Sequence, residues 1–151
     1  PPDANSTMRI TYGTVGGYSP KDGVTYDYRS SIDGYKEKYV ENDPEFDLNP
    51  DCWAAIQKGD WGRYADKDGK LYTGLATDLD ITGGNSGSPV INAKGELIGL
   101  AYDGNWESMA GDLYYNPKYN KCVCVDIRFV LWIIDKYAGA SNLLNEISIV
   151  E

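Results

Sequence analysis

Histidine is absent from the 151 residues of the chain. A serine or cysteine nucleophile usually needs a neighbouring imidazole that accepts its proton. A complete Ser-His-Asp triad therefore cannot form from these residues alone.

Basic side chains and long apolar runs are also scarce. Fourteen Lys and Arg stand against 23 Asp and Glu, which gives a formal net charge of -9. Such a surface repels phosphate backbones and anionic headgroups, so nucleic acid is not an expected partner. No run approaches the ~18 apolar residues of a membrane span. The first residues, 1–5, have neither the charge nor the apolar stretch of a signal peptide, and we expect a soluble chain or a processed piece without a membrane span.

The chain also lacks a metal-binding pattern. Its three cysteines, Cys52, Cys122 and Cys124, have no zinc-binding spacing, and we expect all three to be small buried residues. We expect Cys122 and Cys124 to point to opposite faces of one strand, which makes them unsuited to a disulfide with each other. Residues 66–69 resemble part of a calcium loop, but Leu75 falls where the twelfth-position ligand is required. No metal and no organic cofactor is therefore expected.

The composition favours a β-rich fold. Seventeen Gly, seven Pro and 13% aromatic residues indicate many turns and short strands. Strands are predicted at 8–15, 24–28, 71–81, 89–92, 96–102 and 122–127. The segment 33–70 is predicted to be an irregular excursion containing one helix, with Asn49 as its cap, Pro50 in its first turn and Gly59 as its stop.

An amphipathic helix is predicted near the end of the sequence. Apolar residues at 127, 130, 131 and 134 have helical spacing, so we expect a helix that ends near Gly139. Ser141 is expected to cap a last short turn.

The segment 80–90 contains the best candidate for chemistry. Gly84 and Gly87 bracket Ser86, so a tight turn can expose the serine hydroxyl. The backbone amides of Gly84 and Ser86 can then point into one concavity and hold a developing oxyanion. A Gly-x-Ser-Gly sequence alone is also typical of an ordinary loop between strands. The context favours the catalytic interpretation, because predicted strands flank the segment and a Lys-Gly turn follows.

This layout resembles the second barrel of chymotrypsin-like serine proteases. It departs from their pattern at Ser88, which replaces a glycine, and at Asn85, which cannot form the ion pair that matures trypsin-like zymogens. The resemblance is closer to the dipeptidyl-peptidase 7 and 11 family of bacterial serine exopeptidases. Separated motifs carry it in the same order along nearly the whole chain: 8–15, 44–46, 62–66, the Ser86 segment, 103–107 and 125–128.

Members of that family look much longer, with the triad His and Asp in a preceding portion. The resemblance therefore implies that residues 1–151 are the C-terminal part of a chymotrypsin-like peptidase domain, with the nucleophile but without the His and Asp. It implies Ser86 as the nucleophile, the Gly84 and Ser86 amides as the oxyanion hole, and Asp103 as the residue that binds the substrate's amino terminus. Gly104 matches the pocket position where the branch that cleaves after acidic residues carries Arg. An Asp-Gly pair after a strand is also a common hairpin turn, so that alternative for Asp103 stays open.

The function implied is the release of dipeptides from oligopeptide N-termini, with a hydrophobic residue preferred at the second position. Expected partners are oligopeptides and the missing N-terminal part, and a homodimer is left open. The family's location implies the periplasm or the cell surface. Two alternatives remain: an endopeptidase of the same fold, and a non-catalytic β module that binds peptides or sugars through its Tyr and Trp.

Overall fold

A computed structural model describes residues 8–111 and 113–150. The chain divides into two compact units, one formed by the chain up to Arg29 with Gly74–Asp126, the other by Ser30–Thr73 with the chain from Ile127 onward. The predicted β-rich architecture is confirmed as two antiparallel sheets accompanied by a few helices.

The strands form one small and one larger sheet. In chain order they are β1 (Tyr18–Lys21), β2 (Val24–Tyr26), β3 (Arg29–Ser31), β4 (Tyr72–Thr77), β5 (Pro89–Ile91), β6 (Leu97–Gly104) and β7 (Cys122–Asp126). The first two pair as an antiparallel hairpin. The remaining five are ordered β3-β4-β7-β6-β5, with antiparallel pairing of β4 with β7, β7 with β6 and β6 with β5.

The helices are short. They are α1 (Asp33–Lys38), α2 (Pro50–Lys58), α3 (Ile127–Trp132), which continues as a π-helical turn over Ile133–Tyr137, and α4 (Ser141–Leu144). The end signals predicted for α2 are confirmed: the Asn49 side chain accepts a hydrogen bond from the Asp51 amide at 2.9 Å, and Gly59 is left-handed with φ +68°. Ser141 does not cap α4; it is the first residue of that helix, and no side-chain cap bond forms there.

Each unit has its own apolar core. In the first unit, the buried core residues lie on the face of the larger sheet: Leu75, Val90, Ala101, Cys122 and Cys124. In the second, the buried core joins the excursion to the closing helix: Ile32, Ile56, Tyr64, Leu71, Leu131 and Trp132. The indole N–H of Trp132 donates to the Asp60 carbonyl at 2.9 Å, so the buried ring leaves no unsatisfied donor.

The prediction for the cysteines is wrong in part. Cys122 and Cys124 are buried as expected, but their sulfurs lie 3.5 Å apart on the same face of β7. Residues two apart on a strand share a face, because successive side chains alternate. Cys52 is only half-buried.

The strand predicted at 8–15 is also wrong. In this segment, Val15 alone forms an isolated antiparallel bridge, with Thr77, and β1 takes the place of the predicted strand as the partner of β2. The reason lies at Thr14, whose backbone N–H and hydroxyl both donate to the Asp78 carboxylate. That carboxylate replaces the carbonyl that a neighbouring strand would offer.

Candidate active site

A tight turn before β5 presents Ser86. The Asn85 amide donates to the Thr82 carbonyl, and the Thr82 amide donates to the Asn85 side chain, each at 3.1 Å. Gly84 and Gly87 have φ of +96° and +84°, a left-handed backbone that glycine adopts without steric cost. The turn thus has the tight conformation that Gly84 and Gly87 predicted.

Two backbone hydrogen bonds join this turn to β6. The Gly87 amide donates to the Ala101 carbonyl at 2.7 Å, and the Ala101 amide donates to the Ser88 carbonyl at 2.9 Å. Ser86 directly precedes these two anchored residues and is exposed. Its position is therefore fixed by the sheet while its hydroxyl stays accessible.

The Ser86 hydroxyl makes a long hydrogen bond. It donates to the Tyr102 carbonyl at 3.4 Å. Across residues 8–111 and 113–150, the backbone amides of Gly84 and Ser86 donate to no protein acceptor. An oxyanion hole needs N–H groups that are free to donate to the substrate oxygen.

A cavity of about 300 Å³ opens beside this turn. Its lining includes Ser86, Asp103 and Gly104, so the structure brings three of the predicted site residues to one cavity in the first unit. Gly84 does not line the cavity itself, although the adjoining Gly83 and Asn85 do.

A β-bulge places Asp103 and Gly104. In the β6–β7 pairing, Ala101 faces Cys124 and Asp103 faces Val123, so β6 contains one additional residue, Tyr102, between these two pairs. Asp103 and Gly104 are the last residues of β6, and the hairpin-turn alternative for this Asp-Gly pair is therefore wrong.

Gly104 lies against Ser108. A Cβ atom at Gly104 would come 2.2 Å from the Ser108 hydroxyl oxygen, which donates to the Asn105 carbonyl at 2.7 Å. The φ of Gly104 is not left-handed, so close approach rather than backbone strain favours glycine here.

Sequence reasoning missed several residues of the cavity wall, among them Asn105, Ser108, Tyr115 and Lys121. The Tyr115 hydroxyl donates to the Asp78 carbonyl, and burial, with the nearby charges of Asp78 and Asp80, raises the pKa of Tyr115. Asn105 lies in the 103–107 motif, but no local pattern assigns any of these residues to a cavity, because they come together only when the loop after β6 returns to β7.

Asp78 supports this region through its carboxylate. Partial burial raises the pKa of Asp78, but hydrogen bonds from Thr14 and the charge of Lys121 outweigh burial, and the resulting pKa lies below its ordinary value. Asp78 is thus held as a carboxylate.

An exposed serine in a glycine-rich turn, beside an open cavity on an antiparallel sheet, is an arrangement typical of serine hydrolases. The chain belongs to the Peptidase S46 family, which it matches over residues 1–149. The resemblance to dipeptidyl-peptidases 7 and 11 is confirmed by individual relatives. The chain is 49% identical over 150 residues to the Asp/Glu-specific dipeptidyl-peptidase of Capnocytophaga gingivalis. The aligned region covers 99% of this chain and 21% of that protein. It is 50% identical over 150 residues to dipeptidyl-peptidase 7 of Phocaeicola vulgatus, with the same 99% and 21% coverage.

The fold is similar to that of solved relatives. The crystal structure of Porphyromonas endodontalis DPP11 in complex with the dipeptide Arg-Asp matches with a TM-score of 0.88 and 45% identity, over 91% of this chain and 20% of that one. The complex of the same protein with Arg-Glu matches with a TM-score of 0.89 and covers 93% of this chain. The chain thus spans about a fifth of the length of the relatives it matches.

Within 8–111 and 113–150, no helix is long and apolar enough to cross a membrane. The same residues contain no group of three or more His, Cys, Asp or Glu that could hold a metal ion.

Proposed function

We propose that this chain is the nucleophile-bearing part of a serine dipeptidyl-peptidase, which releases dipeptides from the amino termini of oligopeptides. The observation that carries the proposal is the shared cavity: Ser86, Asp103 and Gly104 line it together. The names of the relatives support the same activity. In this proposal residues 1–151 are the C-terminal part of a chymotrypsin-like domain, and closure of a barrel belongs to the longer protein.

The proposed reaction begins at Ser86. Its hydroxyl oxygen attacks the carbonyl carbon of the scissile peptide bond while an imidazole from the longer protein takes the hydroxyl proton. The carbonyl oxygen becomes an oxyanion that accepts hydrogen bonds from the Gly84 and Ser86 amides. The peptide C–N bond then breaks, and the imidazole gives its proton to the leaving amine. The dipeptide stays as an ester on Ser86 until water hydrolyses it.

Asp103 is proposed to bind the substrate's protonated amino terminus. Its carboxylate is exposed on the cavity and accepts a hydrogen bond from the Gly104 amide at 2.8 Å, which leaves lone pairs for a cation. A fixed anion near the nucleophile sets the distance from amino terminus to scissile bond. That distance distinguishes a dipeptidyl-peptidase from an endopeptidase.

Gly104 is proposed to border the pocket for the residue before the scissile bond. Glycine provides no charge, and Leu79, Ile81 and Met109 give the cavity apolar lining. An apolar side chain gains about 25 cal/mol per Å² that it buries, whereas an unpaired carboxylate loses hydration. A hydrophobic second residue is therefore the proposed preference. Relatives named for Asp/Glu specificity and relatives named dipeptidyl-peptidase 7 match this chain about equally, so overall identity does not decide the preference.

The test uses the full-length protein with Ser86→Ala. Loss of a triad nucleophile costs on the order of 10⁶ in turnover, so release of dipeptides from a reporter should stop. Ser88→Ala is the matched control, since it makes the same change two residues away, outside the cavity lining. Near-normal turnover by Ser86→Ala would refute the nucleophile assignment. The isolated chain should be inactive, because it contains no histidine.

Location and assembly stay predictions. The periplasm or cell surface and a homodimer are proposed from the family resemblance alone. Cell fractionation and sedimentation of the full-length protein would test them.

A further inference from the structure

Asn105 begins the loop that walls one side of the cavity. It follows Gly104 at the end of β6, and the loop returns to the sheet at β7. Asn105 and Ser108, near the start of the loop, and Asn120, near its end, all line the cavity. The position of this loop therefore sets the width of the cavity.

The Asn105 side chain connects the two ends of the loop. Its Oδ1 accepts a hydrogen bond from the Lys121 amide at 2.8 Å, and its Nδ2 donates to the Tyr119 carbonyl at 2.8 Å. The same Nδ2 donates to Glu107 Oε2 at 2.9 Å. The Asn105 backbone N–H donates to the Lys121 carbonyl at 2.9 Å. One residue thus fixes both the start and the end of the wall.

Three further hydrogen bonds extend from this connection. The Asn105 carbonyl accepts from the Ser108 amide at 3.0 Å and from the Ser108 hydroxyl at 2.7 Å, which holds Ser108 against Gly104. Glu107 Oε2 also accepts from the Tyr18 hydroxyl at 2.8 Å. Displacing Asn105 would therefore shift the residues that border the pocket beside Gly104.

Only a primary amide of this length meets these requirements. The site needs one acceptor facing a backbone N–H and two donors facing a carbonyl and a carboxylate. A carboxylate of the same shape would keep the acceptor but place an anion against the Tyr119 carbonyl and Glu107. An aspartate at position 105 would therefore replace two attractive contacts with repulsive ones without changing the volume of the side chain.

We propose that Asn105 is a positioning residue that fixes the wall of the pocket for the side chain before the scissile bond. Asn105 acts through Gly104 and Ser108 on substrate selectivity, not on the bond-breaking step. The inference rests on the proposed function, because it assigns that pocket to the substrate's second residue.

The test is Asn105→Asp in the full-length protein. The matched control is Asn92→Asp, because Asn92 has the same chemistry away from the cavity: Nδ2 donates to Glu96 Oε2 at 2.7 Å, and Oδ1 accepts from the Glu96 amide at 3.1 Å. Both variants should lower the temperature of unfolding. The selectivity readout is the ratio of kcat/KM for two dipeptidyl reporters that differ only in Leu or Ala at the second position.

We expect Asn105→Asp to raise KM for the Leu reporter with kcat changed much less, and the energy of the lost hydrogen bond to Glu107 sets an upper limit of about tenfold to a hundredfold on that rise. The Leu-to-Ala ratio of kcat/KM should therefore fall in Asn105→Asp, and Asn92→Asp should leave that ratio unchanged. Adding Glu107→Gln to Asn105→Asp should recover part of the Leu-to-Ala ratio, because an amide at position 107 removes the repulsion between the carboxylates of positions 105 and 107. An unchanged ratio in Asn105→Asp, or the same fall in Asn92→Asp, would overturn the inference. If the unmodified protein cleaves neither reporter, the proposed function fails instead.

Discussion

Gly104→Arg tests the proposed pocket most directly. Gly104 borders the cavity, and its backbone conformation is open to any L-residue, so an arginine can be introduced without backbone strain. The guanidinium would enter a cavity of about 300 Å³ whose lining is partly apolar. We expect the preference at the substrate's second residue to change from hydrophobic to acidic.

The new ion pair sets the magnitude of this change. A guanidinium–carboxylate pair contributes about 1.5 to 3 kcal/mol, or roughly ten- to a hundredfold in kcat/KM for a Glu reporter. The new Cβ would meet the Ser108 hydroxyl at 2.2 Å, so that hydroxyl must rotate and lose its bond to the Asn105 carbonyl. A neutral hydrogen bond of this kind contributes about 1 kcal/mol to folding stability, and because it is lost in the free and the substrate-bound enzyme alike, it lowers stability and not the gain for the Glu reporter. The arginine side chain also occupies space that a leucine would fill, so the Leu reporter should lose activity.

The assay is a panel of dipeptidyl reporters that differ only in the second residue, measured on the full-length protein. Gly104→Ala is the matched control, since its Cβ displaces Ser108 in the same way without adding charge. The Glu-to-Leu ratio should rise at least tenfold in Gly104→Arg and little in Gly104→Ala. An unmodified enzyme that prefers Asp or Glu over Leu, Phe or Met would refute the interpretation of Gly104. Lys121, which also lines the cavity, would then be the cation to examine.

Two other residues give separate tests. Asp103→Asn should lower kcat/KM about ten- to a hundredfold for reporters with a free amino terminus. N-acetylated reporters should be cleaved poorly by both the variant and the unmodified protein. Equal cleavage of free and acetylated peptides by the unmodified protein would favour the endopeptidase alternative. Asp78→Asn should lower the unfolding temperature near neutral pH. Because the pKa of Asp78 lies below its usual value of 3.8, its stabilisation is complete above that value and is lost as the pH falls through the lower folded-state pKa. The difference in unfolding temperature between Asp78→Asn and the unmodified chain should therefore shrink at strongly acidic pH, and a difference that is constant with pH would contradict this assignment.

The features that the sequence predicted well depend on neighbouring residues. Helix α2 is an example, because Asn49 accepts from an amide two residues away and Gly59 ends the helix through its own φ. The turn around Ser86 is another, because Gly84 and Gly87 allow its positive φ values. In these cases the residue and its structural effect lie within a few positions of each other.

The features that the sequence did not predict depend on distant partners. Residues 8–15 alternate like a strand, yet Thr14 bonds to Asp78, which lies 64 positions away. Helix α1 has an acidic first turn and a basic last turn, but its N-cap residue, Ile32, provides no side-chain hydrogen bond, and the helix lies in the segment predicted to be irregular. The hydrogen bond between Asn105 and Lys121 could be predicted only from the knowledge that the two ends of this loop meet where β6 pairs with β7. No local pattern contains that information.

The bulge at Tyr102 explains how a charged residue can occupy this strand. In β6, Gly99 and Ala101 are buried, and Ala101 faces Cys124, so strict alternation would place Asp103 on the same buried face, opposite the buried Cys122. A buried, unpaired carboxylate costs several kcal/mol. The additional residue shifts the alternation, so that Tyr102 and Asp103 are both exposed and Gly104 follows at the cavity. Asp103 and Gly104 therefore reach the cavity through an irregularity of pairing that the order of apolar and polar residues does not reveal.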